Sequence, residues 1–129
     1  MNGSLNCFGI VVSDMSKSLA LYRYLGVDIP SEADRQHHVE ATLEGGLRLL
    51  FDTVETIQSF DSGWNEPHGS PRVAIGFKFD TPAEVDHTYS ELTSQGYHGY
   101  KEPWDAVWGQ RYAIIHDPDG NAIDLFAQL

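Results

Sequence analysis

Cysteine is nearly absent. Cys7 is the single thiol in 129 residues, so no disulfide closes within the chain and the fold rests on packing and hydrogen bonds. Basic residues are scarce as well. Eight Lys and Arg stand against 19 Asp and Glu, for a net charge of −11. Such a chain presents no basic face for phosphates, which argues against nucleic acid as a partner. The acidity serves solubility, and it also sets up a field that attracts cationic or weakly basic small molecules. No apolar run approaches the roughly 20 residues that cross a bilayer, so no membrane role is expected. Met1-Asn2-Gly3-Ser4 lacks the basic region and apolar core of a secretory signal, and a cytoplasmic protein is the expectation. Also missing are the G-x-S-x-G nucleophile elbow, the phosphate-cradling loop and the dinucleotide fingerprint, each the signature of a large enzyme class.

What is present suffices for one domain with a real core, residues 1–129, of which 41% are hydrophobic. The most informative stretch is Trp108 to Phe126, which reads as a hairpin. Residues 108–116 are rich in β-branched and aromatic types, and Asp117-Pro118-Asp119-Gly120 is turn chemistry. After the turn the chain alternates, with Ile123 and Leu125 on one face and Asp124 and Phe126 on the other.

The rest of the chain shows the same plan twice. Asn6 to Val12 is a short apolar strand. Asp14 caps a helix over Met15 to Leu25 that closes at Gly26. Residues 27–36 form a connector, and His37 to Leu43 with Leu47 to Phe51 make a hairpin around Glu44-Gly45-Gly46. Asp52 to Pro71 is a linker with a possible short helix at Val54 to Phe60. Arg72 to Phe79 is again a strand. Thr81-Pro82-Ala83-Glu84 starts a second helix with a capping box and Pro at its first position, and this helix ends at Gly96. Tyr97 to Lys101 is extended, and Glu102-Pro103-Trp104-Asp105 reads as a turn. The prediction is an α+β fold of two βαβββ modules, about 5–60 and 71–127, whose mixed sheets curve around a shared cleft.

Val-Val-Ser-Asp-Met (11–15), Leu-Ala-Leu-Tyr-Arg-Tyr-Leu-Gly (19–26) and Asp-Pro-Asp-Gly-Asn-Ala-Ile-Asp-Leu (117–125) resemble the vicinal oxygen chelate superfamily, the group of glyoxalases, bleomycin-resistance proteins and ring-cleaving dioxygenases. The resemblance covers nearly the whole chain. A narrower one joins residues 15–30, 46–56 and 103–126, including Trp-Gly-Gln-Arg-Tyr-Ala-Ile (108–114), to mitomycin-resistance and related drug-sequestering proteins. It implies a domain-swapped or arm-exchanged homodimer that holds an aromatic antibiotic in clefts between protomers, without turnover.

The superfamily's enzymes hold a divalent metal on ligands from the first and last strands of each module. Counting from the helix caps and turn glycines puts Cys7, Ala74, Leu50 and Asp124 at those positions, with Asp52 reached by a two-residue shift. Ala74 and Leu50 cannot bind a metal, Cys7 is a soft ligand and Asp124 is one short carboxylate, whereas a catalytic site needs about three protein ligands. The residues at those positions depart from the superfamily's ligand pattern, and no metal or other cofactor is expected. Of the six histidines, His37 and His38 are adjacent and point to opposite faces of a strand, and the others show no metal spacing.

Three Trp, six Tyr and six Phe supply flat surfaces. The expectation is sequestration of a planar quinone, anthraquinone-type or bleomycin-like drug by stacking on Trp108, with His38 as a second flat surface. Leu50, Asp52, Cys7, Gly9, Trp104, Tyr112, Asp124 and Phe126 complete the expected ligand-binding set. Gly9 leaves room, and Asp52 or Asp124 accepts hydrogen bonds from drug hydroxyls or amines. The alternative is a metal-dependent lyase, thiol transferase or dioxygenase.

Overall fold

The computed structural model describes residues 1–129, and the chain divides into two units, Met1–His68 and Gly69–Leu129. The first runs β1 (Cys7–Val12), α1 (Met15–Tyr24), β2 (His38–Thr42), β3 (Arg48–Thr53) and α2 (Val54–Phe60). The second runs β4 (Ala74–Lys78), α3 (Pro82–Ser94), β5 (His98–Ala106), β6 (Gln110–His116) and β7 (Ala122–Gln128). No helix is long and apolar enough to cross a membrane.

The internal repeat extends to single hydrogen bonds. The Asp14 side chain accepts from the Lys17 N–H, and the Thr81 side chain from the Glu84 N–H, so each long helix has one free N-terminal donor satisfied. At the other end Gly26 (φ 106°) and Gly96 (φ 98°) adopt the left-handed conformation that a Cβ disfavours. There Gly26 donates to Arg23 O and Val27 to Tyr22 O, while Gly96 donates to Thr93 O and Tyr97 to Leu92 O. Both helices thus close in the same Schellman motif.

Each helix covers one face of its unit's sheet. In the first unit β3 is central, parallel to β1 and antiparallel to β2. Tyr22 of α1 meets Phe51 of β3 edge-on with ring centroids 5.1 Å apart, and both side chains are fully buried. Complete burial of a ring of this size contributes about 2–3 kcal/mol. In the second unit the strand order is β4-β7-β6-β5, with β4 parallel to β7. Val85 and Leu92 of α3 lie buried with Ala113, Ile115, Ile123 and Leu125. The expected alternation holds: Ile123 and Leu125 face the core, and Asp124 and Phe126 the opposite side.

Two segments differ from expectation. The first sheet has three strands where the second has four, because residues 31–35 form a 3-10 turn in place of a counterpart to β5. The Arg23 guanidinium takes the carbonyls of Ile29 and Pro30 at 2.8 and 2.7 Å and pairs with Asp34 at 2.7 Å. Carbonyls bound in this way are lost to a ladder, and Pro30 has no N–H to offer. The second difference concerns Trp104. Glu102-Pro103-Trp104-Asp105 is not a turn; β5 continues through it to Ala106, with register shifts on either side of Lys101. β5 is an edge strand, where a proline at an irregularity costs no ladder bond. The reversal falls at residues 107–109, closed by Gly109 at φ 90°.

Candidate functional site

Each sheet has one face turned away from its helix, and the residues singled out from sequence fall on those two faces. In the first unit, register defines three rows of side chains: Val11–Asp52–His38, Gly9–Leu50–Glu40 and Cys7–Arg48–Thr42. His38 ties two of them together. Its Nδ1 lies 2.5 Å from Asp52 and its Nε2 2.9 Å from Glu40. Glu40 also accepts from Arg48 at 2.5 Å, and Arg48 reaches Asn6. A neutral imidazole donates from only one nitrogen, so a carboxylate at each nitrogen favours the doubly protonated ring. The Glu40 bond, then the Asp52 bond, accordingly raise the His38 pKa above its ordinary value, and His38 and Arg48 lower that of Glu40. The His38 side chain remains 46% exposed. A Cβ added at Gly9 meets nothing within 4 Å, so the middle row is open at that point.

The second unit's outer face is ordered in the same way. Trp104, Tyr112, Phe126 and Lys78 form one row, Ile114, Asp124 and Gly76 the next, and His98, His116, Ala122 and Ala74 the third. The aromatic row is continuous. Trp104 and Tyr112 meet edge-on at 5.4 Å, Tyr112 stacks on Phe126 at 5.8 Å, and Trp108 sits edge-on to both Trp104 and Tyr112. Phe126 lies over Gly76, where an added Cβ would come within 3.2 Å of the ring. Trp108 is 59% exposed, yet its indole N–H is held by Gln110 at 2.9 Å, and Gln110 is held by Gln128 at 2.7 Å. Lys101 Nζ stands 4.4 Å from the centre of the Trp104 ring in a cation–π contact.

Asp124, in the row next to the aromatic one, is the one carboxylate in these three rows, and the Tyr112 hydroxyl donates to it. Burial, with the Asp124 hydrogen bond and charge adding to it, pushes the Tyr112 pKa up to about 12. In the third row, burial and the neighbouring His98 lower the His116 pKa.

These residues do not fit the metal that the fold's enzymes hold. Gly9, not Cys7, shares a row with Leu50, and Gly76, not Ala74, shares one with Asp124. Asp52 is engaged by His38 and Asp124 by Tyr112. No group of three or more His, Cys, Asp or Glu converges in a metal-holding arrangement.

Of the expected ligand-binding residues, the second sheet gathers Trp104, Trp108, Tyr112, Asp124 and Phe126. The first sheet's outer face gathers Cys7, Gly9, His38, Leu50 and Asp52. Sequence reading missed the Gln110–Gln128 brace behind Trp108, the Glu40–Arg48 pair beyond His38, and Gly76 beneath Phe126. Strand parity alone links Gln110 to Tyr112 and Glu40 to His38; no local signal pairs Gly76 with β7. The Asp117 carboxylate has a structural task. It is 4% exposed and accepts from the Asp119 and Asn121 N–H groups, both at 2.9 Å, and from the Asn121 side chain.

Residues 4–125 match the family described as Glyoxalase/Bleomycin resistance protein/Dioxygenase superfamily. Solved structures share the fold. Hypothetical protein SA1046 from S. aureus is 24% identical, with a TM-score of 0.75 over 98% of this chain and 94% of that one. A glyoxalase/bleomycin resistance protein/dioxygenase family enzyme from Burkholderia phytofirmans PsJN reaches a TM-score of 0.81 at 17% identity, over 98% and 100% of the two chains. Lactoylglutathione lyase from Agrobacterium tumefaciens gives 0.63 at 18% identity, over 98% and 95%. At these identities the likeness is one of fold. No curated protein matches the sequence.

Proposed function

Because the chain belongs to the glyoxalase/bleomycin resistance protein/dioxygenase superfamily, whose name joins enzymes to a drug-resistance protein, we propose that it is a binding member. It holds a planar aromatic antibiotic by stacking and releases it unchanged. The single observation that carries this reading is the aromatic row of the second sheet, Trp104–Tyr112–Phe126 with Trp108 braced at its edge. Ring contacts add roughly 0.5–1.5 kcal/mol each beyond area burial. Covering about 200 Å² of apolar surface contributes on the order of 5 kcal/mol before ordering costs. A metal enzyme instead needs about three protein ligands and an open position, and here the candidate carboxylates are already engaged by His38 and Tyr112.

The likeness of residues 15–30, 46–56 and 103–126, including Trp-Gly-Gln-Arg-Tyr-Ala-Ile at 108–114, supports the narrower class, a mitomycin-resistance-like protein acting as a homodimer on a quinone-type drug. Asp52 or Asp124 is the hydrogen-bond acceptor in this reading. The test is a titration of tryptophan fluorescence after dialysis against chelator, with planar quinone antibiotics and bleomycin as ligands. Saturable, equimolar quenching with the compound recovered intact is the expected result. Silence without metal, followed by turnover once a divalent metal is restored, would replace sequestration with enzymatic chemistry.

A further inference from the structure

We propose that His98 and His116 form a two-imidazole site for a divalent transition metal of the zinc or nickel type on the outer face of the second sheet. This does not rest on the drug-binding reading, because the pair lies two rows from Trp104, Tyr112 and Phe126.

The two histidines are direct cross-strand partners on β5 and β6. Directly opposite residues on an antiparallel pair share a face and project side by side, unlike the adjacent His37 and His38. Their ring separation matches chelation. A metal about 2.1 Å from a ring nitrogen sits about 3.2 Å from that ring's centroid, so two imidazoles at 90–109° about one ion have centroids about 4.5–5.3 Å apart. The observed centroids are 5.1 Å apart, with the planes tilted by 49°. Tyr100 stacks on His116 at 4.8 Å and 19°, which restrains that ring's plane.

The nitrogens are also available. His38 has a carboxylate on each ring nitrogen, whereas no side-chain hydrogen bond within the chain engages the His98 or His116 ring. The neighbouring Asp117 carboxylate accepts the hydrogen bonds of its own turn, and its charge favours a cation at His116. Imidazole donors suit zinc, copper and nickel rather than magnesium or calcium. The remaining coordination positions fall to water.

Zinc chloride titrated into chelator-dialysed, 15N-labelled full-length protein, followed through the imidazole resonances, tests the site. The His98 and His116 rings should move together along one saturating curve. His98→Asn, at an exposed position, should weaken zinc binding at His116 by about tenfold or more, as loss of one arm of a chelate does. His116→Asn should do the same at His98, with circular dichroism checking the fold, and His87→Asn should leave the curve in place. Still His98 and His116 resonances through excess zinc would overturn the proposal. So would zinc affinity at His116 unchanged by His98→Asn.

Discussion

Replacing Tyr112 by Phe removes one oxygen and keeps the ring that Trp104, Trp108 and Phe126 pack against. What is lost is the hydrogen bond to Asp124. A hydrogen bond to an ionised acceptor contributes about 1.5–3 kcal/mol net. Asp124 is half-buried and keeps some access to water, so the loss is placed at about 1–2 kcal/mol. In a domain of this size that lowers Tm by about 3–8 °C. Asp124→Asn should cost a similar amount. The double variant should cost less than the sum, giving a coupling energy of about 1 kcal/mol in a denaturant double-mutant cycle. The pH dependence supplies a second check. Tyr112 has a folded pKa of about 12 against an ordinary value of 10.0. Between those values the unfolded chain gives up the proton first, so stability is fully present below pH 10 and is lost as pH climbs toward 12. The difference between wild type and Tyr112→Phe should therefore shrink across that window. Additive single-variant losses, or a difference that grows from pH 10 to 12, would refute the bond as the source of the effect.

Other changes test the remaining structural claims. Trp108→Ala should weaken binding of a planar drug by roughly 1–3 kcal/mol, the range for an aromatic anchor; unchanged affinity by calorimetry would remove Trp108 from the site. Gly99→Ala places a Cβ 2.2 Å from the Tyr89 hydroxyl and 2.8 Å from Thr93 Cγ2, and this overpacking should cost about 1–3 kcal/mol in urea unfolding. The His38 ring should titrate by NMR above 6.5, and Glu40→Gln and Asp52→Asn should each lower its pKa. Because that pKa is raised, the stability His38 contributes is complete below about pH 6.5 and is lost as pH rises through the folded value. An insensitive His38 resonance in both variants would contradict the clamp.

The aromatic row also explains why glycine and glutamine belong to this surface. A Cβ at Gly76 would crowd the Phe126 ring at 3.2 Å, while register between β6 and β7 brings that ring against Tyr112. Trp108, at a turn and mostly exposed, gains orientation from Gln110 and Gln128 rather than from burial. An exposed aromatic held in this way loses little rotamer freedom on binding, which lowers the ordering cost of a stacked complex.

The local features of this protein are legible in its amino-acid order. Helix ends at Asp14, Gly26, Thr81 and Gly96 follow from capping and left-handed backbone, which involve neighbours within a turn or two. The Asp117–Gly120 reversal and the face carrying Asp124 and Phe126 follow from turn chemistry and period-two alternation. Lateral neighbours depend on the assembled fold. Tyr112 meets Asp124 across 12 residues, Gln110 meets Gln128 across 18, and Arg48 meets Asn6 across 42. Alternation assigns a side chain to a face but not to a row, because the row depends on register between distant strands. The same reason accounts for the strand count. Pro103 reads as a turn until an edge position accommodates it, and residues 27–36 read as an ordinary connector until Arg23 captures their carbonyls.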